Sequence, residues 1–259
     1  MRTTGPARCG AVDMEIVSYG GGTNSTAMLI GLRDRKQAPY AIVFADTGGE
    51  KPETYDYLQT INSWCSDQGF PEVTVVRKGG NGETLEEELL RKKTLPPVAF
   101  GFKTCSHKYK IQPFEQWANH QPACKEIWAG GGKVTKLIGI DADEPQRAAA
   151  SRSLKYANRF PLLEWDWGRS ECVEAIKAEG LPLPGKSSCF FCPNSKPSEI
   201  LTLPKRLQKR AIRLEQNATI VTAVKGLGRQ FSWEHLIRTN DAQACFPFAQ
   251  EMPCGCYDG

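Results

Sequence analysis

Three consecutive glycines, Gly20-Gly21-Gly22, stand between the apolar run Ile16-Val-Ser-Tyr and the polar segment Thr23-Asn-Ser-Thr. A bend without Cβ atoms lets backbone N–H groups turn toward an anion, and a helix starting just after it adds the positive end of its dipole. Asn24, Ser25 and Thr26 can donate to phosphate oxygens or cap that helix. Asp46-Thr47-Gly48 closes a second apolar run, Tyr40-Ala-Ile-Val-Phe-Ala, at the place where open α/β sheets put ligand-binding groups. Cys189-Phe-Phe-Cys192 sets two thiols close enough to share a metal or a cluster, or to act as a redox pair, and Cys254-Gly-Cys256 adds two more near the C-terminus. The chemistry on offer is phosphate binding together with thiol, metal or sulfur chemistry.

The elements that must position these groups alternate along the chain. Apolar runs at 16–19, 40–45, 73–76 and 134–140 read as strands, each ending in polar or glycine residues. Helical patterns occupy Glu53 to Gln68, with Tyr57, Ile61 and Trp64 about one turn apart, then Glu83 to Lys93, Pro113 to Asn119 and Arg169 to Glu179. This alternation predicts an α/β fold: a doubly wound, mostly parallel sheet with helices on both faces. Leu203, Leu207, Ala211 and Leu214 then mark a helix whose other face carries Arg206, Arg210 and Arg213. The predicted division is a disordered arm over 1–13, a nucleotide-binding domain over 14–195, and a basic helical extension with a Cys-containing tail over 196–259.

The 259 residues carry a net charge of +4, and Lys196 to Arg238 alone hold nine Lys or Arg against three Glu. That quarter is the natural surface for a polyanion, DNA or RNA, or else a solvated basic face. No apolar run reaches the roughly 20 residues of a spanning helix, and the first residues lack a secretory h-region. The expectation is a cytoplasmic protein with no membrane partner. In a reducing compartment the ten cysteines serve as ligands, reactive thiols or core residues rather than disulfides. Composition says nothing about oligomeric state.

Known glycine motifs sort the loop. A Walker-type loop needs Gly-Lys followed by Ser or Thr, and no lysine occurs between Ile16 and Gly31. A dinucleotide fingerprint takes Gly20 and Gly22 but wants Gly or Ala where Ser25 stands; with Asp46 as a ribose ligand it leaves a Rossmann-type oxidoreductase as an alternative. The stretch Val17-Ser18-Tyr-Gly-Gly-Gly-Thr-Asn-Ser-Thr more closely resembles the PP-loop of ATP pyrophosphatases and phosphoadenosine-phosphosulfate (PAPS) reductases, Ser-Gly-Gly-x-Asp-Ser, with Gly20 in place of the serine and Asn24 in place of the aspartate. Asp46-Thr-Gly with Pro52-Glu-Thr, Lys103-Thr-Cys-Ser-His-Lys-Tyr-Lys-Ile-Gln-Pro, Gly139-Ile-Asp-Ala-Asp-Glu-Pro-Gln-Arg and Cys189-x-x-Cys-Pro are similar to further landmarks of the same family, in the same order. Arg147 is kept, while Asp141 stands where the family has an arginine.

The resemblance implies ATP or PAPS, with Mg, at the C-terminal edge of the sheet. Ser18, Gly20 to Gly22, Asn24, Ser25 and Thr26 would hold phosphates, Asp46 to Gly48 the ribose or base, and Lys108, Lys110 and Arg147 further phosphate charge. It also implies Cys105, Cys189 and Cys192 as ligands of a [4Fe-4S] cluster, with Cys172 or a tail cysteine as a fourth; zinc and metal-free thiols are the other readings. Two reactions follow. In one, a tail thiol, Cys254, takes the sulfonyl group of PAPS and a thiol reductant such as thioredoxin clears it. In the other, ATP adenylates an acceptor such as DNA or RNA and sulfur displaces AMP, as in relatives that insert sulfur into DNA. Asn24 and Asp141 support a third reading, a nucleotide- or nucleic-acid-binding module that has lost its chemistry.

Overall fold

The computed structural model describes residues 14–244 apart from 81, 103 and 220–223. In chain order its strands and α-helices are β1 (Glu15–Tyr19), α1 (Thr23–Asp34), β2 (Ala41–Ala45), α2 (Pro52–Asp67), β3 (Val73–Val76), α3 (Leu85–Arg91), α4 (Thr104–Ser106), α5 (Gln112–His120), α6 (Pro122–Ala129), β4 (Val134–Ile138), β5 (Tyr156–Arg159), α7 (Pro161–Glu164), α8 (Arg169–Ala178), α9 (Pro197–Leu201), α10 (Lys205–Asn217) and α11 (Trp233–Ala244). They divide into two compact units. One runs to Gly82 and resumes over Lys108–Ser188; the other takes Glu83–His107 and the residues from Cys189 onward.

The first unit is built on a five-stranded sheet in the order β3-β2-β1-β4-β5, parallel throughout. β1 lies at its centre, with Ser18 opposite Val43 of β2 on one side and Ile138 of β4 on the other. The strands are apolar because helices cover both faces. Successive residues of a strand point to opposite faces, and the core divides accordingly. Val17, Tyr19, Ile42, Phe44 and Leu137 share one apolar cluster with α1, α2 and α8, while Ile16, Ala41, Val43 and Val134 share another with Phe114, Ala118 and Cys124 of α5 and α6. Each fully buried Leu, Ile or Phe among them contributes about 1.5–3 kcal/mol.

The fold class thus agrees with the expectation, with a strand added. Tyr156-Ala-Asn-Arg pairs in parallel with β4 as an edge strand, yet its one aromatic residue and lack of alternation give no periodic signal. The helices α6, α9 and α11 also go beyond the pattern read from the sequence. Ahead of α5, His107–Ile111 forms a π-helical turn. Pro113 offers no N–H to the carbonyl four residues back, and a widened turn relieves that clash.

One carboxylate ties three helices of the first unit together. Arg33 at the end of α1 donates to Glu179 through Nη1 at 2.5 Å and Nη2 at 2.6 Å, and Trp64 Nε1 of α2 donates to the same carboxylate at 2.9 Å. Glu179 is the C-cap of α8. The Arg33 hydrogen bonds hold its carboxyl below the ordinary range.

In the second unit a buried carboxylate plays a similar part. Glu215 of α10 accepts hydrogen bonds from the backbone N–H groups of Leu227, Trp233 and Glu234 at 2.6, 3.0 and 2.9 Å and from Ser232 Oγ at 2.7 Å, which fixes the start of α11. Gly226 is required beside it, since a Cβ there would lie 2.1 Å from Glu215 Oε1. Asn217 Nδ2 donates to the Leu90 carbonyl at 2.6 Å and Arg210 pairs with Glu86, so α10 is docked on α3. No helix among the described residues is long and apolar enough to cross a membrane.

Glu179→Gln is expected to lower stability by about 1–2 kcal/mol at pH 7, read by urea unfolding. A depressed carboxyl contributes stability above its unfolded value that is lost as pH falls through its folded value, so the gap between variant and wild type should close toward pH 3, below the usual carboxylate range of about 4.

Candidate nucleotide site

The sheet turns back on itself at β1. The chain lays β2 and β3 on one side of it and β4 and β5 on the other, so the C-terminal ends of β1 and β4 meet at a topological switch point, where open α/β sheets place ligands. The glycine loop leaves β1 at that edge. Gly21 has a φ of +72°, which favours glycine, and a Cβ on it would lie 2.9 Å from Thr54 Cγ2. Gly22 is the N-cap of α1, and a Cβ there would meet Ser187 Oγ at 2.7 Å. Gly139, just past β4, approaches backbone rather than side chain: its Cβ would lie 2.9 Å from Ser25 N and 3.0 Å from Asn24 C and O. Backbone packs on backbone there, which leaves no room for a side chain.

The loop's own polar groups are partly committed. Ser25 Oγ accepts from Gly22 N at 3.3 Å and donates to Gly22 O at 3.0 Å, which ties the side chain of the third helical residue back to the N-cap backbone and secures the first turn of α1. Thr26 Oγ1 is bonded to Tyr19 Oη at 3.0 Å and is buried. Ser18 lies within β1, two residues before the loop. Gly22 N is thereby taken by Ser25, and Thr23 and Asn24 open α1, where backbone N–H groups lack intrahelical acceptors.

Asn24 and Asp141, two of the three departures from the PP-loop pattern that the loop resembles, are hydrogen-bonded to each other. Asn24 Nδ2 donates to Asp141 Oδ2 at 2.8 Å, and Arg169 Nη1 donates to Asn24 Oδ1 at 3.1 Å. Asp46, by contrast, is consumed by its own surroundings. Arg77 Nε and Nη2 donate to Oδ2 at 2.7 and 2.5 Å, while Tyr55 Oη and Gly48 N donate to Oδ1 at 2.8 and 2.7 Å. Its role is to fold the Thr47-Gly48 turn. Glu50 stands at the same edge, fully buried, with Lys110 Nζ 3.2 Å from Oε1 and Thr47 Oγ1 donating to Oε1 at 3.3 Å. Lys108 is half-buried two residues from Lys110, and Arg147 is exposed and paired with Glu144.

Four buried polar atoms at this end of the sheet have no hydrogen-bond partner among the described residues: Glu50 Oε2, Thr54 Oγ1, Asp141 Oδ1 and Ser188 Oγ. Thr54 touches the loop at Gly21, Ser188 follows the residue that touches Gly22, and Asp141 holds Asn24. Buried polar atoms are rarely left unpaired, and an exception needs a cause. Of these residues, Thr54 was within reach of sequence reading through Pro52-Glu-Thr. Glu50 and Ser188 carry no pattern of their own.

The thiols fall into two groups. Cys65 and Cys172 are fully buried in the sheet core, and burial pushes each thiol up to about 12; Cys124 is raised by burial as well. These are inert core residues, which removes Cys172 as a fourth ligand. Cys105, Cys189 and Cys192 all belong to the second unit and are half-buried. Cys192 N donates to Cys189 O at 3.0 Å, so the two cysteines span one tight turn. Among the described residues no three His, Cys, Asp or Glu side chains gather as a metal site, so these three thiols form no ready cage for a cluster or zinc. Cys254 and Cys256, like Cys9 and Cys245, lie outside the described residues. On α10, Arg206, Lys209 and Arg213 are exposed on successive turns, while Arg210 turns inward to Glu86 and over the Phe190 ring at 4.5 Å.

No family profile matches the chain. A curated relative, the uncharacterized nin region protein ORF290 of Escherichia phage lambda, is 25% identical over 203 residues, which cover 69% of this chain and 65% of that protein. The chain thus matches just under two thirds of that relative's length. Among solved structures, the U34-tRNA thiolase NcsA of Methanococcus maripaludis with its [4Fe-4S] cluster aligns with a TM-score of 0.45 and 14% identity, over 95% of this chain and 76% of that one.

Gly139→Ala is expected to cost about 1–3 kcal/mol in thermal unfolding, because two backbone segments must separate to admit the methyl group. Gly130→Ala, whose Cβ would meet nothing closer than 3.5 Å, is the control and should fall within about 0.5 kcal/mol of wild type.

Proposed function

We propose that this protein is a PP-loop-type enzyme that binds ATP at the C-terminal edge of β1 and β4, uses it to activate an acceptor, and passes sulfur to the activated atom. The observation that carries the nucleotide part is the set of four buried polar atoms, partnerless among the described residues, around a glycine loop at a switch point. A ligand rich in phosphate and hydroxyl groups supplies both the acceptors that the loop's N–H groups need and the partners those four atoms lack. Lys110, steadied by Glu50, brings positive charge to the same edge for a departing phosphate.

The reaction runs in two displacements. A carbonyl oxygen of the acceptor attacks the α-phosphorus of ATP, the bond to the bridging oxygen breaks, and pyrophosphate leaves with the electron pair. A persulfide, loaded onto one thiol by transfer of a sulfane sulfur from an external persulfide donor that departs as its thiol, then attacks the activated carbon through its outer sulfur, and AMP leaves with the former carbonyl oxygen. A neighbouring thiolate attacks the thiol-side sulfur, which releases the thiolated product and closes a disulfide for an external dithiol to reduce. Cys189 and Cys192, one turn apart, are suited to the carrier and resolving roles. No step is assigned to a cluster.

The acceptor is a nucleic acid in this reading, because Arg206, Lys209 and Arg213 present an exposed cationic stripe along α10. Pyrophosphate release from ATP, measured with and without RNA or DNA, is expected to rise several-fold with the correct acceptor. Nucleotide binding with no release under any condition would leave a binding module, and no binding of ATP would overturn the reading. Replacing the three stripe residues by Ala is expected to weaken nucleic-acid binding and to reduce the salt slope of log K by about 3, roughly one per lost phosphate contact.

A further inference from the structure

Asp141 is at odds with a site built only for anions. Its side chain is buried, at 4% exposure, beside the N-terminal turn of α1, a helix of twelve residues. Oδ2 accepts from Asn24 Nδ2 at 2.8 Å, and Asn24 is the second residue of that helix. Oδ1 is buried with no partner among the described residues. The carboxylate is thus oriented by a neutral amide. The guanidinium of Arg169 reaches it through that amide, 3.1 Å from Asn24 Oδ1, and the neighbouring Asp143 accepts from Arg169 N at 2.7 Å, adding a second negative group to this end of the sheet.

A helix N-terminus attracts phosphate, whereas a carboxylate oxygen fixed beside it repels phosphate. A divalent cation between them reconciles the two, since it accepts both oxygens as ligands. Magnesium is commonly held in this way, by one or two carboxylates together with substrate phosphates, and it keeps water for its remaining positions. The donor set fits that demand: one hard oxygen, with the carboxylate's other oxygen anchored so that it cannot rotate away.

We propose that Asp141 Oδ1 is the protein ligand of the divalent cation that accompanies the nucleotide phosphates, and that Asn24 is the positioning residue that turns it toward the metal. The assignment rests on the nucleotide reading above. It accounts for the paired substitution at positions 24 and 141: the amide at one supplies the donor that orients the carboxylate at the other.

ATP affinity of the full chain, measured with excess Mg²⁺ and with EDTA, tests this. Wild type is expected to bind ATP about tenfold or more tightly with Mg²⁺, as for a metal shared between carboxylate and phosphate. In Asp141→Asn that ratio should fall toward one, and affinity in EDTA should exceed that of wild type because the repulsion is gone. An unchanged Mg²⁺ dependence in this variant overturns the assignment and leaves the nucleotide reading intact. Failure of wild type to bind ATP under either condition overturns both. A second measurement needs no variant: wild type labelled with ¹³C at aspartate carboxyls, loaded with Mn²⁺ and ATP, should show a ¹³C coupling to the manganese, and its absence overturns the assignment.

Discussion

β1 is hydrogen-bonded on both sides, to β2 and to β4, and the geometry of the candidate site depends on that double pairing. Because both neighbours run parallel to it, the residues that follow all three strands emerge at one edge. The approach of Gly139 to the backbone of Asn24 and Ser25 then draws the β4 loop against the first turn of α1. A strand buried on both faces and paired on both edges has no freedom to shift register, because a slip of one residue would turn Val17 and Tyr19 away from the core they share with α1 and α2. The loop is therefore held by the most constrained element of the unit.

Charge at that edge is handled in two ways. Asp46 is satisfied four times over by Arg77, Tyr55 and Gly48, so its energy goes into the turn it closes. Glu50 and Asp141 each retain an oxygen with no partner among the described residues. Desolvating a carboxylate is costly, and leaving part of it unpaired is costlier still. A fold bears such a cost where a ligand or ion completes the pairing, and that is the contrast on which the proposed nucleotide site rests. The same contrast separates the cysteines: Cys65 and Cys172 sit in apolar surroundings that disfavour the thiolate, whereas Cys189 and Cys192 occupy a half-buried turn.

Much of the fold is legible in the sequence because its signals are local. An apolar run of four to six residues, a triplet of glycines and a helical stripe are each read within a few positions, and β1 to β4 with the helices α1, α2, α5, α8 and α10 follow from them. Short elements such as β5 and α9 have too few residues for a period and form because a neighbour accepts their hydrogen bonds or apolar groups. The chemistry of a glycine loop was likewise readable, since the absence of Cβ atoms is a property of the residues themselves.

What the sequence by itself determined is the glycine loop between a strand and a helix, the parallel α/β architecture, and the presence of thiols and a basic helix. Only the tertiary structure decided which polar groups are hydrogen-bonded and which are left without a partner among the described residues. Asn24 and Asp141 look like two separate losses along the chain, yet they lie 117 positions apart and share one hydrogen bond. Asp46 reads from sequence as a polar residue at a strand end, and the fold adds that Arg77 and Tyr55 donate to its two oxygens. Residue type and short-range spacing are local quantities, whereas hydrogen-bond partnership and burial depend on which distant segments the sheet brings together, and no pattern within a single stretch of sequence records that.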